Sequence, residues 1–185
     1  MKRTIVTPAP LAPAALGALR DWLGIASGAS AEDAMLTGLL RAALDSCEAF
    51  TGVLPLQAGC EERFAPDPGW QALATAPVQA ILAVQGQPPS GPRQDLPSAA
   101  YAVELGADGS GRVRILAPGG VALFVVRYTA GLAPDWASLP DGLRHGLLRL
   151  AAHLYRQRDG DGADPAQPPA AIAALWRPWR GLRLQ

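Results

Sequence analysis

The sequence predicts an α+β fold: a mostly helical bundle, with two N-terminal helices and one long C-terminal helix, an inserted small antiparallel β-sheet, and a separate C-terminal tail. Three observations lead there. Apolar residues recur at helical spacing over 12–23, 31–51 and 140–158. Between residues 54 and 128 the apolar period shortens to two. After an Asp/Gly-rich run at 159–165, a Trp- and Arg-containing segment closes the chain.

The first helix is expected over 12–23. Pro13 suits its first position, Leu16, Leu19, Trp22 and Leu23 share a face, and Gly24 suits the stop. The second is stronger: Ser30 can cap it with Asp33 three residues on, and Gly52 ends it. Its core stripe is Met35, Leu36, Leu39, Leu40, Ala43, Leu44, Cys47 and Phe50. From Leu54 a strand puts Leu54, Leu56, Ala58, Cys60 and Phe64 on one side, with Gln57, Glu61 and Arg63 on the other. Another short strand is expected at 78–84, and the Pro-, Gly- and Ser-rich stretch 86–98 reads as a loop.

Residues 100–116 predict a hairpin that turns at 106–111, and 121–128, apolar on both faces, predict a strand buried between layers. The third helix, 140–158, opens at Pro140 with Ser138 and Asp141 as a capping pattern. Leu143, Leu147, Leu150, Ala151 and Leu154 form its stripe, and Arg144, His145, Arg149, His153, Arg156 and Arg158 leave the rest basic. The segment 168–185 then carries Ile172, Leu175, Trp176, Trp179, Leu182 and Leu184, with Arg177, Arg180 and Arg183 three residues apart. Chain ends normally fray, so an apolar, Arg-rich one asks for a receiving surface. That surface is either a neighbouring molecule or the chain's own core.

A chain of 185 residues, 49% apolar and 17% charged, suits one folded domain with a real core. Sixteen basic and sixteen acidic residues cancel, so any field for nucleic acid must be local. No continuous apolar stretch follows Lys2 and Arg3, and no run of about 18 apolar residues appears, so neither a secretory segment nor a membrane span is expected. A soluble protein in a reducing compartment fits these features. Cys47 and Cys60 read as two reduced, mostly buried thiols; a disulfide would need their Cα atoms within about 7 Å.

No catalytic, cofactor-binding or metal-binding set emerges. The Gly106–Gly111 turn lacks the Gly-Lys-Ser/Thr ending of a phosphate loop. Asp159, Asp161 and Asp164 could open a calcium loop, but Ala170 stands where its bidentate carboxylate belongs. His145 and His153 are eight apart, whereas metal ligands on one helix sit three or four apart. There is no Gly-x-Ser-x-Gly elbow. Helix 31–51 carries only Arg41 against Glu32, Asp33, Asp45 and Glu48, too few donors for a DNA-recognition helix.

More specific residues remain. Tyr128-Thr129-Ala130-Gly131 closes the buried strand, and Leu150-Ala151-Ala152-His153-Leu154-Tyr155 with Arg158 lies in the third helix. Phe50-Thr51-Gly52 ends the second helix, and Leu175-Trp176-Arg177-Pro178-Trp179-Arg180 stands near the C-terminus. In this order they resemble the head–tail connector proteins of tailed phages, also called head-completion or adaptor proteins, over nearly the whole chain. Trp176 and Trp179 depart from the smaller apolar or Tyr residues commoner there. The Ala-, Pro- and Arg-rich composition would suit a gene transfer agent or prophage of a GC-rich bacterium.

The resemblance implies a structural virion protein, assembled in the bacterial cytoplasm, that forms a twelve-fold ring beneath the capsid portal. It would connect head to tail and extend the DNA channel. Implied partners are the portal, a tail-side connector or stopper protein, and further copies of the chain, with DNA passing unread and no cofactor or membrane involved. Residues 1–163 would form the connector domain and 164–185 a flexible portal-docking tail acting through Leu175, Trp176, Arg177, Trp179, Arg180, Leu182 and Arg183. Arg144, Arg149 and Arg156 would face the lumen or the next subunit. The alternative readings are a tail-completion or other virion protein and, further off, a small enzyme.

Overall fold

A computed structural model of the chain describes residues 2–25, 32–157 and 168–180. Among these residues there are four α-helices and eight strands. The expected mostly helical bundle with a small inserted sheet is therefore corrected. The chain opens with a strand, β1 (Lys2–Thr7), and only then enters helix α1 (Pro13–Leu23). The region read as an insert supplies seven further strands in two antiparallel sheets. Two compact units result: Met1–Ala9 with Gln57–Leu132, and Pro10–Leu56 with Ala133–Gln185. The extent of the β-rich part escaped the reading because β3 and β5 are two residues long and β1 lies at a terminus, where alternation has no length in which to show.

The first unit holds a five-stranded sheet in the order β1-β2-β8-β4-β5. Its members beyond β1 are β2 (Ala58–Phe64), β4 (Val78–Gln87), β5 (Gln94–Asp95) and β8 (Leu123–Ala130). The central strand β8 pairs with β2 from Ala58↔Ala130 to Phe64↔Phe124 and with β4 along its other edge. Paired on both edges, β8 buries Phe124, Val125, Val126 and Tyr128 completely. The second sheet, β3-β7-β6, comprises β3 (Gln71–Ala72), β6 (Tyr101–Leu105) and β7 (Gly111–Ile115). The hairpin β6–β7 falls within the expected 100–116 and buries Val113 and Ile115.

One residue on β2 breaks the apolar rule. Glu62 points inward with Cys60 and Phe64 and is fully buried. Its Oε1 accepts the Tyr128 hydroxyl, and the Ala74 amide donates to both carboxyl oxygens at 3.0 and 3.1 Å. Arg3 of β1, directly opposite Glu62 in register, donates to the Thr75 hydroxyl at 3.3 Å. Burial, then the bond to Glu62, pushes the Tyr128 hydroxyl well above the ordinary tyrosine range.

The second unit is helical: α1, α2 (Asp33–Thr51), α3 (Asp141–Gln157) and α4 (Ala170–Trp176). The core of α2 is Leu36, Leu40, Ala43 and Cys47, and that of α3 is Leu143, Leu147, Leu150 and Ala151. Gly52 takes φ 74°, the left-handed conformation that a helix stop favours, and its amide bonds the Glu48 carbonyl at 2.8 Å. The expected Ser30 cap lies outside the described residues. Ahead of α3, the Ser138 amide donates to the Asp135 carboxylate at 2.8 Å. Neither Cys47 nor Cys60 is in a disulfide, and both are buried. Burial pushes the Cys47 thiol up to about 12.

Two predictions follow from these buried groups. Tyr128→Phe removes a donor and leaves the buried Glu62 carboxyl short of a partner, so unfolding free energy should drop by about 1–3 kcal/mol in a urea titration. Between the ordinary thiol value of 9.0 and about 12, the folded chain keeps the Cys47 proton that the unfolded chain has released. The fold then binds more protons, and stability must fall as pH rises through that window. Urea midpoints measured from about pH 8 to pH 11 should decline, and Cys47→Ala should flatten the decline.

Candidate functional site: the C-terminal segment and the basic cleft

The segment 168–180 begins with two prolines. Pro169 is extended, and its carbonyl accepts from the Ile172 and Ala173 amides at 2.8 and 2.9 Å, starting a helix through the alanines that follow. Seven residues cannot hold a helix alone, so packing must do it. Ile172 and Trp176, four apart on one face, are the anchors, 3% and 0% exposed. Pro178 then falls in a 3-10 turn, Arg177–Trp179.

Glycines on α3 receive this segment. At Gly146 an added Cβ would run into the Trp176 indole, and at Gly142 it would stand 2.9 Å from the Trp179 ring. The indole N–H of Trp176 points to the Leu143 carbonyl at 3.4 Å, and its ring lies 6.2 Å from that of Phe50 on α2. The Arg180 guanidinium sits 5.5 Å over the same Phe50 ring, a cation–π distance.

The residues expected to meet a partner therefore divide. Trp176 is turned wholly inward, Leu175 and Trp179 are half-buried, and Arg177 and Arg180 face solvent. Leu182 and Arg183 lie outside the described residues. Of the two receiving surfaces open to the sequence, Trp176 uses the chain's own core. Gly142 and Gly146 were overlooked. Their signal is two glycines four apart in an otherwise good helix, each costing about 1 kcal/mol relative to alanine unless something approaches closely.

The three basic residues expected at the lumen or the next subunit also separate. Arg144 is engaged locally with the Asp141 carboxylate and the Ala137 carbonyl. Arg149 and Arg156 instead line an open cleft of about 270 Å³ with His153, Trp22, Pro169 and Ile172. Trp22, expected in the core, is 41% exposed there and meets the His145 ring edge-on at 5.2 Å. No helix among the described residues is long and apolar enough to cross a membrane.

Solved structures that match this chain over its full length include three chains of gene transfer agent particles. A chain in the neck of an empty gene transfer agent particle, computed with C6 symmetry, is 27% identical with a TM-score of 0.79. A chain of the virion of a native gene transfer agent particle is 27% identical with a TM-score of 0.74. A third, from the neck of a native particle computed with C12 symmetry, is 25% identical with a TM-score of 0.75. Each match covers 100% of this chain and 98% of the other. The likeness is to parts of a phage-like particle. It supports a structural virion protein and a place in the particle itself. No known family pattern matches the chain, and no curated protein does.

The glycine groove yields its own prediction. Gly146→Val fills the seat of Trp176 and should expose the segment to limited proteolysis while shifting tryptophan emission to the red. Trp176→Ala leaves the seat empty and should cost about 3–5 kcal/mol in a urea titration.

Proposed function

We propose that the chain is a neck subunit that forms a ring beneath the capsid portal and joins head to tail, leaving an open path for DNA. The observation that carries the reading is the end-to-end match, at 27% identity and a TM-score of 0.79, to a neck chain of a gene transfer agent particle. The match covers 100% of this chain and 98% of the other, so the likeness is more than one shared motif.

The work proposed is mechanical, with no bond made or broken. The portal contact falls to the outward side of the C-terminal segment, where Arg177, Arg180 and the half-buried Trp179 are available. Arginine and tryptophan concentrate interface energy, because each joins a large contact area to directional bonds. Trp176 shapes this surface from beneath by holding α4 on α3.

Co-expression with the portal encoded in the same genome, followed by native mass measurement, tests the reading. A ring of copies bound to the portal is the expected result, and a chain that never associates with it would overturn the proposal. Deleting the segment would also uncover the core around Ile172 and Trp176. Arg177→Glu with Arg180→Glu is therefore the cleaner probe, expected to weaken portal binding about tenfold or more while leaving the melting temperature near that of wild type.

A further inference from the structure

A ring built from identical copies needs two different surfaces on each, one received and one receiving. This inference rests on the neck reading and identifies both within the helical unit. Arg149, His153 and Arg156, at i, i+4 and i+7 on α3, share one face and line the open cleft with Trp22 of α1 and Ile172 of α4. No ion pair engages Arg149 or Arg156 among the described residues. A concave site that combines guanidinium groups with an exposed indole is suited to a protein segment carrying carboxylates. A DNA backbone would use the arginines but leave the Trp22 and Ile172 walls without a role.

The outer face of α2 has the complementary chemistry. Its inner face packs on α1, α3 and α4, so its outer face turns away from all the helices that line the cleft. Asp45 is exposed there and Glu48 is half-buried close by, while Arg41 is the only basic residue on the helix. The helix C-terminus, one turn beyond Glu48, adds partial negative charge. Ala42 and Ala49 flank Asp45 with little bulk, so the helix backbone can come close to the large cleft wall.

We infer that in the ring the Asp45–Glu48 end of α2 of one copy docks into the Arg149–Arg156 cleft of the next. The occupant is a second copy of this chain, and the contact is head-to-tail, as ring closure requires.

Charge reversal tests this on the full chain assembled with its portal and weighed by native mass spectrometry. Arg149→Glu with Arg156→Glu, and separately Asp45→Lys with Glu48→Lys, should each raise the concentration needed for ring formation about tenfold or more. The four changes together should bring it back toward wild type, because the pairing is restored with its signs exchanged. Melting temperatures close to wild type confirm that the variants fold. If both pairs of changes leave the ring intact, the contact is not there, while the neck reading stands. If the cleft variant alone assembles normally but loses affinity for a 30-bp DNA duplex, the cleft serves DNA and the inference is overturned. A wild-type chain that forms no ring with the portal overturns both readings.

Discussion

The β-rich unit depends on the hydrogen bonding of one buried carboxyl. Because β8 is paired on both edges and most of its side chains are sealed from water, any polar group there must be met inside the fold. Tyr128 is that group, and Glu62 on the adjacent strand accepts the hydrogen bond of its hydroxyl. The carboxyl in turn reaches the Ala74 amide, fixing the segment between β3 and β4 against β2. Arg3 and Thr75 extend the same network to the edge strand β1. Such a network is costly when incomplete, and a satisfied one specifies a single arrangement. The tyrosine of the Tyr128-Thr129-Ala130-Gly131 motif thus has a structural duty before any functional one.

In the helical unit the corresponding constraint is steric. Two glycines on α3 bring its backbone close to two tryptophans of the C-terminal segment, and neither side works without the other. A short helix that would be unstable alone becomes part of the core by burying Ile172 and Trp176. What it presents outward is then decided by helical geometry: Arg177 and Arg180 lie outside, carried on a packed base. An interface presented on a rigid element loses less entropy on binding than one carried by a free strand of chain.

A division of labour between the helices follows from the neck reading. In the proposed ring the C-terminal segment would offer its arginines to the portal, while α2 and the α3 cleft would offer opposite charges on different sides of one unit. Self-assembling rings need that kind of asymmetry, because identical patches would pair into closed dimers. The chain's sixteen cations and sixteen anions balance, leaving no net field to attract DNA.

Much of the helical unit was legible in the sequence. Periodicity located α1, α2 and α3 to within a few residues, because a long amphipathic stripe repeats enough times to be unmistakable. The stop at Gly52, the hairpin and the central strand β8 were readable for similar local reasons, and the motif order pointed to the phage-particle likeness. The β1 strand, the two-residue strands β3 and β5 and the extent of both sheets were not, since strand pairing is a long-range property that a short segment does not announce. Glu62 looked like any surface carboxylate until its register with Tyr128 placed it inside. Trp22 and Trp176 show the limit most plainly. Both are large aromatics on helices, yet one is 41% exposed in a cleft and the other fully buried, because Gly146 leaves room for the Trp176 indole. Composition and spacing determined which elements form; only the tertiary structure decided which faces are used up inside the molecule and which remain to meet another.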